Sequence, residues 1–149
     1  MIQEMRLGSN DRASTDGQST LAVGPEDLAT WRLDLQSDVL ECDDAMRTLW
    51  GFEEGVAVTS RDCFARVHPE DLDLLRASVE KSLGEMSFYR TTYRILIPGG
   101  EVRHIASRAK PVRGADGQLY LIGLNWDITK ERLSQRALAA SERLRRVAL

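Results

Sequence analysis

The residues that most suggest chemistry are His68-Pro69-Glu70-Asp71, where two carboxylates closely follow an imidazole. Such a set could perform general acid–base catalysis. The same run is typical of a helix start, because proline fits a first helical turn and carboxylates there interact favourably with the helix dipole. No nucleophile motif, oxyanion loop or phosphate-binding glycine run accompanies it. We therefore predict no catalytic residue in this chain.

Histidine and cysteine are both scarce. The chain contains two of each, namely His68, His104, Cys42 and Cys63. Two histidines exclude any metal site that needs three, and we predict no metal ligands. His104 lies among basic residues on a strand, and we expect it to be exposed. Two cysteines do not form a disulfide framework, which favours a reducing compartment.

Length and charge limit the possible classes of protein. The 149 residues suffice for one domain with tails, and the net charge of −3 argues against binding to nucleic acid or to an anionic membrane. No apolar run reaches the roughly 18 residues that span a bilayer, and the N-terminus lacks the pattern of a signal peptide. We expect a cytoplasmic protein.

Periodicity predicts a mixed α+β domain with its helices on one face of an antiparallel sheet. Residues 1–24 are polar and aperiodic, so we interpret them as a mobile leader, with a short helix possible near Pro25 to Leu28. Period-two patterns predict strands at Thr30–Leu35, Val39–Cys42, Met86–Ile97, Glu101–Val112 and from Gly117. Helical patterns and caps predict helices at Ala45–Trp50, ended by Gly51, at Ser60–Val67, and from Pro69 to a stop at Gly84.

The C-terminal segment changes from strand to helix at Asp127-Ile128-Thr129, where Asp or Thr can cap the new helix. From Lys130 onward, small or apolar residues recur at alternating steps of four and three. They are Leu133, Ala137, Ala140, Leu144 and Val147. This heptad seam predicts an amphipathic helix that leaves the domain and pairs with a second copy, giving a parallel homodimer.

Short motifs from Trp31 to Thr129 resemble those of PAS domains that end in a PAC motif. They are Trp31 with Asp34, Leu49-Trp50-Gly51, His68-Pro69-Glu70-Asp71, Tyr93-Arg94-Ile95, Gly99-Gly100-Glu101-Val102-Arg103-His104-Ile105, Asp116-Gly117, and Gly123 followed by Asp127-Ile128-Thr129. Each motif is weak alone, but their order and spacing over about two-thirds of the chain identify the resemblance.

The resemblance implies a five-stranded antiparallel sheet with helices folded over it and a small pocket between them. It places a PAS/PAC domain at 25–129 and a coiled-coil-like signalling helix at 130–149. It also implies a sensory or dimerising module of a bacterial signalling protein, such as a histidine kinase or diguanylate cyclase. The run from Ala140 to Arg145 resembles the helix that introduces the next PAS domain in tandem arrays. We therefore expect an effector outside this chain.

Chromophore binding is one alternative that the resemblance raises. Some PAS domains ligate haem through a helix histidine, and His68 is the helix candidate here. Light-oxygen-voltage domains attach flavin to a helix cysteine, but Arg61-Asp62-Cys63-Phe64-Ala65 lacks their surrounding residues. We interpret His68 as a cap and Cys63 as a buried thiol. The sequence requires no cofactor.

The pocket of such a domain is predicted from the faces of its strands and helices. The candidates to line it are Trp31, Leu33, Trp50, Phe64, Leu72, Leu75, Tyr93, Ile95, Ile105, Leu121 and Asn125. In a domain this small, the same side chains could simply fill the interior. Asn125 is the most informative candidate, because a polar residue there could bind a ligand and affect the adjoining helix.

Coupling to the exit helix is assigned by the resemblance to Asp127 and Thr129. The aspartate of this motif ties the helix to the domain through a basic or backbone partner, and Arg94 or Arg103 could supply the charge. A simple helix cap is the alternative interpretation. Our hypothesis is a sensory or dimerisation module with a possible small-molecule ligand. The rivals are a ligand-free dimer spacer, a chromophore sensor and a small pocketed α+β enzyme.

Overall fold

The computed structural model describes residues 28–148. The predicted leader at 1–24 lies outside these residues, as does nearly all of the possible helix near Pro25 to Leu28. The strands are β1 (Ala29–Asp34), β2 (Val39–Cys42), β3 (Val58–Thr59), β4 (Tyr89–Leu96), β5 (Val102–Arg113) and β6 (Leu119–Asp127). The helices are α1 (Asp44–Trp50), α2 (Ser60–Arg66), α3 (Pro69–Glu85) and α4 (Thr129–Ala148).

The strands form one antiparallel sheet in the order β3-β2-β1-β6-β5-β4. The first and last long strands of the chain therefore meet at its centre, where Trp31 pairs with Gly123. The predicted α+β class and the five long antiparallel strands are confirmed. The sheet also has a sixth strand, β3, whose two residues are too few to produce a detectable period.

One face of the sheet, the inner face, carries the core. Alternation along the strands places Tyr93, Ile105 and Leu121 on this face, and all three are buried. Met46 and Trp50 of α1 and Leu75 of α3 are buried in the same cluster, with α2 side chains packed against it. Helices α1, α2 and α3 thus cover the inner face, as the periodicity predicts.

Side-chain caps explain where these helices begin. Asp43 accepts a hydrogen bond from Met46 N at the start of α1, and Thr59 forms a capping box with Asp62 at the start of α2. His68 caps α3, its Nδ1 accepting from Glu70 N at 3.1 Å. Gly51 ends α1 in the left-handed conformation. The predicted roles of His68 as a cap and of Gly51 as the end of a helix are confirmed.

The end of α3 differs from the prediction. Gly84 lies inside the helix, which continues to Glu85 and ends at Met86 in a left-handed conformation with φ of 51°. Ser87 N donates to Ser82 O and closes this turn at 3.1 Å. Glycine normally occupies such a position, so the sequence favours Gly84 as the end of the helix. This prediction is wrong. Strand β4 consequently starts at Tyr89 rather than Met86.

The last helix, α4, begins at Thr129 directly after β6. Its predicted seam is largely uncovered, since Leu133, Leu144 and Val147 are 54%, 71% and 84% exposed. Arg132, on another side of the helix, donates to Thr92 Oγ1 of β4 at 3.2 Å. Within the described residues, no helix is long and apolar enough to cross a membrane.

Candidate functional site

A buried cluster of polar side chains lies at the centre of the inner face. Asn125 Oδ1 accepts hydrogen bonds from Trp31 Nε1 at 3.0 Å and from Ser107 Oγ at 2.7 Å. Ser107 Oγ also lies 2.7 Å from Tyr93 Oη. We call Trp31, Tyr93, Ser107 and Asn125 the inner polar cluster. It joins four neighbouring strands in a place that is otherwise apolar.

The directions of these hydrogen bonds follow from the chemistry of the groups. The indole N–H can only donate, so the atom of Asn125 that faces it must be the carbonyl oxygen. Ser107 uses its single proton on that oxygen, and Tyr93 must therefore donate to Ser107. Burial, the largest effect, raises the pKa of Tyr93 well above its usual value, which keeps this phenol protonated. Asn125 Nδ2 in turn donates to Met46 Sδ of α1 at 3.6 Å.

Trp50 adds an unsatisfied donor beside this cluster. Its ring is stacked on Phe52 and tilted against Tyr93, with centroid distances of 6.2 and 6.1 Å. Its Nε1 is buried and has no hydrogen-bond acceptor within the part of the chain that the structure describes. A buried donor without a partner is costly, so this position would favour an acceptor group from a bound molecule or water.

The predicted pocket residues come together on this face. Nine of the side chains are buried, and Phe64 and Leu72 are partly buried against the same core. Sequence reasoning missed Ser107 and Met46 as members of the site. The sequence does carry a signal for Ser107. It lies two residues after Ile105 on the same strand, so alternation places this polar residue on the buried face.

Two backbone and side-chain contacts tie the start of α4 to β5. Thr129 Oγ1 accepts from His104 N at 2.9 Å, and Ile128 N donates to His104 O at 2.8 Å. Asp127 Oδ1 accepts from Thr129 N at 2.8 Å and from the Thr129 hydroxyl. We call Asp127, Ile128 and Thr129 with His104 the exit junction. Asn125 precedes Asp127 by two residues on β6, so this strand links the inner polar cluster to the exit junction.

The expected arginine partners of Asp127 have other contacts. Arg94 forms a two-pronged pair with Asp71 and a further ion pair with Glu70, at the start of α3. Arg103 pairs with Glu101 and donates to Thr48 O and Leu49 O at the end of α1. The suggestion that either arginine supplies the charge for Asp127 is therefore wrong. The backbone partner, which the sequence left open, is the one observed.

These two arginines instead attach the helices to the sheet. Arg103 reaches from β5 to the carbonyls of Thr48 and Leu49 at the C-terminus of α1, where a cation also interacts favourably with the helix dipole. Arg94 N donates to Asp71 Oδ2 at 2.8 Å, and His68 N donates to Arg94 O at 2.9 Å, so the start of α3 satisfies the edge of β4. These contacts link α1 and α3 directly to the strands.

Comparison with known proteins defines the family. A family model described as the PAS fold matches residues 39–125, more than half of the chain. This chain belongs to the PAS fold family. Its curved sheet, its covering helices and its C-terminal helix agree with that assignment.

Two curated relatives are larger than this PAS domain. The methyl sulfide methyltransferase-associated sensor of Methanosarcina acetivorans is 33% identical over 80 residues, covering 52% of this chain and 8% of that protein. The non-motile and phage-resistance protein of Caulobacter vibrioides is 28% identical over 157 positions, covering 97% of this chain and 18% of that protein. The chain thus spans less than a fifth of either relative.

Solved structures show the same architecture. A sensory box histidine kinase/response regulator from Burkholderia thailandensis superposes with a TM-score of 0.68 at 23% identity, covering 85% of this chain and 97% of that one. The N-terminal domain of a diguanylate cyclase with a PAS/PAC sensor, from Marinobacter aquaeolei, gives 0.62 at 26% identity, covering 70% and 98%. The chain is a PAS sensor domain of the type found in signal-transduction proteins.

The two candidate chromophore residues have structural contacts in this PAS domain. His68 Nδ1 is occupied as the cap of α3. Burial, the largest cause in each case, raises the pKa of the Cys42 thiol to about 11 and that of Cys63 further. Both thiols are therefore protonated and poorly nucleophilic. This environment favours the interpretation of His68 as a cap and Cys63 as a packing residue.

Proposed function

We propose that this PAS domain relays a ligand or partner signal from the inner face to α4, and from α4 to an effector outside the chain. The observation that carries the proposal is the position of Asn125. Its carboxamide completes the inner polar cluster, and the same strand enters the exit junction two residues later. A structural change at the inner polar cluster would therefore pass only along the end of β6 before it reaches α4.

The inner face offers a place for the signal to enter. A ligand with a hydrogen-bond acceptor would satisfy Trp50 Nε1, which lies beside Tyr93 of the inner polar cluster. Binding there would rearrange the aromatic contacts of α1 and the bonds around Ser107 and Asn125. A coupling free energy of about 1–3 kcal/mol is enough to rebalance two arrangements of an output helix. The PAS family is sensory, so a regulatory role fits better than catalysis.

The outgoing signal would pass through a homodimer. Leu133, Leu144 and Val147 of the seam are exposed on α4, while Arg132 on another side contacts the sheet. Such a seam is suited to a parallel coiled coil with a second copy. Relatives that carry histidine kinase or diguanylate cyclase in their names suggest the class of effector. A cytoplasmic location remains part of this proposal.

A native mass spectrum of the 149-residue chain, recorded beside a denatured one, tests the proposal. Extra mass that disappears on denaturation would identify a noncovalent ligand and support the sensor. Bare protein at the mass of a dimer would instead favour the second candidate, a ligand-free dimerisation spacer, for which the uncovered seam of α4 is the supporting observation. Bare monomer would contradict both.

A further inference from the structure

An open groove separates α4 from the outer side of β4 and β5. Its volume is about 500 Å³, within the range of small-molecule sites. The polar side chains that line the groove include Asp71, Thr92, Arg94, His104, Arg132 and Arg136. The groove lies on the face of the sheet opposite the inner polar cluster, and α4 forms one of its walls.

The positive charges on the α4 side of this groove are unpaired. Asp71 is the acidic group of the lining, and both its carboxylate oxygens already accept hydrogen bonds from Arg94. Within residues 28–148, Arg132 and Arg136 have no carboxylate at ion-pair distance, and the Arg132 guanidinium donates to the Thr92 hydroxyl instead. The two arginines are one helical turn apart, so their charges repel on the same face.

His104 adds a neutral donor to these cations. It is half-buried against α4, so the expectation that it is exposed was wrong. Burial first, and then the charges of Arg136, Arg132 and Arg94, lower its pKa from the usual 6.5, while Asp71 acts in the opposite direction. A neutral imidazole can donate one hydrogen bond. The Thr92 hydroxyl accepts from Arg132 and keeps its own proton to donate.

We propose that this groove binds a small polyvalent oxyanion, with phosphate or carboxylate groups, between Arg132 and Arg136 of α4 and His104 of β5. Planar guanidinium groups bind such oxygens with two parallel hydrogen bonds. The ligand would relieve the repulsion between the arginines and hold the first turns of α4 against the sheet. Its effect on signalling rests on the proposed relay, whereas the binding itself does not.

Histidine NMR on the full chain tests the site, using inorganic phosphate and citrate as probes. His104 and His68 are the two histidines, so the imidazole spectrum is simple to assign with a His104→Gln variant. Either anion should raise the pKa of His104, because a bound negative charge stabilises the imidazolium. Sodium chloride at matched ionic strength should raise it less. A preference for phosphate or for citrate separates phosphorylated ligands from polycarboxylates.

Two variants of equal charge change distinguish a site from general attraction. Arg136→Gln should weaken binding about tenfold or more, as expected for loss of one charge-assisted contact. Arg145→Gln should leave it unchanged, because nine residues place Arg145 about 180° around the helix. No response of His104 up to about 10 mM anion, or equal loss in both variants, would overturn the site. Neither result depends on whether the inner face holds a ligand.

Discussion

Among single residues, Asn125 makes the central contacts of the inner polar cluster. Its carbonyl oxygen is the acceptor for both Trp31 and Ser107, and Ser107 is in turn the acceptor for Tyr93. Removal of one oxygen would therefore leave two buried donors without a partner. Buried donors cost more when orphaned than a hydrogen bond gains when formed, so the order of these losses can be predicted.

We expect Asn125→Ala to lower the free energy of unfolding by about 3 kcal/mol, since it orphans two donors. Ser107→Ala orphans only the Tyr93 hydroxyl and should cost about 1–2 kcal/mol. Urea denaturation of the two variants measures both values. If Ser107→Ala were the more damaging change, the assigned directions of these hydrogen bonds would be incorrect.

Gly123 is required by the close approach of Trp31. A Cβ at this position would lie 2.2 Å from Trp31 Cζ2, a distance that no packing permits. Gly123→Ala should therefore destabilise the domain by about 1–3 kcal/mol or displace the indole from Asn125. Gly84→Ala is the matched control, because the site is helical and open, and should stabilise by up to about 1 kcal/mol. Equal effects in thermal unfolding would contradict this packing argument.

Residue types on the buried face could be predicted from alternation, but their partners could not. The position of Asn125 on the last strand marks it as a candidate, and the structure buries it. Its bond to Trp31 joins residues 94 positions apart, a distance that no local pattern encodes. The partly buried state of His104 was missed for the same reason, since it arises when α4 packs beside β5.

At the scale of secondary-structure elements, ion pairs hold α3 against the edge of β4. Arg94 bonds to Asp71 through its backbone N, its Nε and its Nη2, at 2.8 to 2.9 Å. These side-chain bonds are the largest cause that lowers the pKa of Asp71 from 3.8 to about 2. Because the pKa is lower in the folded state, the stabilisation is present above pH 3.8 and is lost as the pH falls towards 2.

Asp71→Asn should lower stability by about 1–2 kcal/mol near neutral pH. The difference from the original chain should shrink as the pH falls from about 4 to about 2, because the carboxyl is then protonated in both states. Asp73→Asn, an exposed position on the same helix, is the control and should change little. Urea midpoints across this pH range measure the effect, and a difference independent of pH would exclude the carboxylate as its source.

Boundaries of elements were predictable where a cap residue marks them. Val39–Cys42 was predicted with its observed ends, and Gly51 ends α1 as expected. The boundary at Met86 was not predictable, because a methionine rarely adopts a left-handed conformation and tertiary contacts must impose it. Strand β3 exists only through its pairing with β2, so its two residues carry no signal of their own.

For the whole molecule, the proposed relay involves two copies joined through α4. Leu144 belongs to the seam and is 71% exposed, while Leu138 is 60% exposed and lies about 140° around the helix from Leu133. Leu144→Glu should weaken dimerisation about tenfold or more, whereas Leu138→Glu should leave it nearly unchanged. Sedimentation equilibrium gives both dissociation constants. Equal weakening would place the dimer contact elsewhere on the domain.

The proposed relay couples the inner polar cluster to α4 through the exit junction. Amide hydrogen exchange in residues 132–136, where the hydrogen bonds of α4 begin, tests it in the original chain, Asn125→Ala, Thr129→Val and the double variant. Amides near the end of a helix exchange through local opening rather than global unfolding, so global stability has little influence there. We predict that Asn125→Ala speeds this exchange, and that its effect is smaller by about 0.5 kcal/mol or more when Thr129→Val has already broken the junction. Unchanged exchange in Asn125→Ala, or additive effects of the two changes, would contradict the relay.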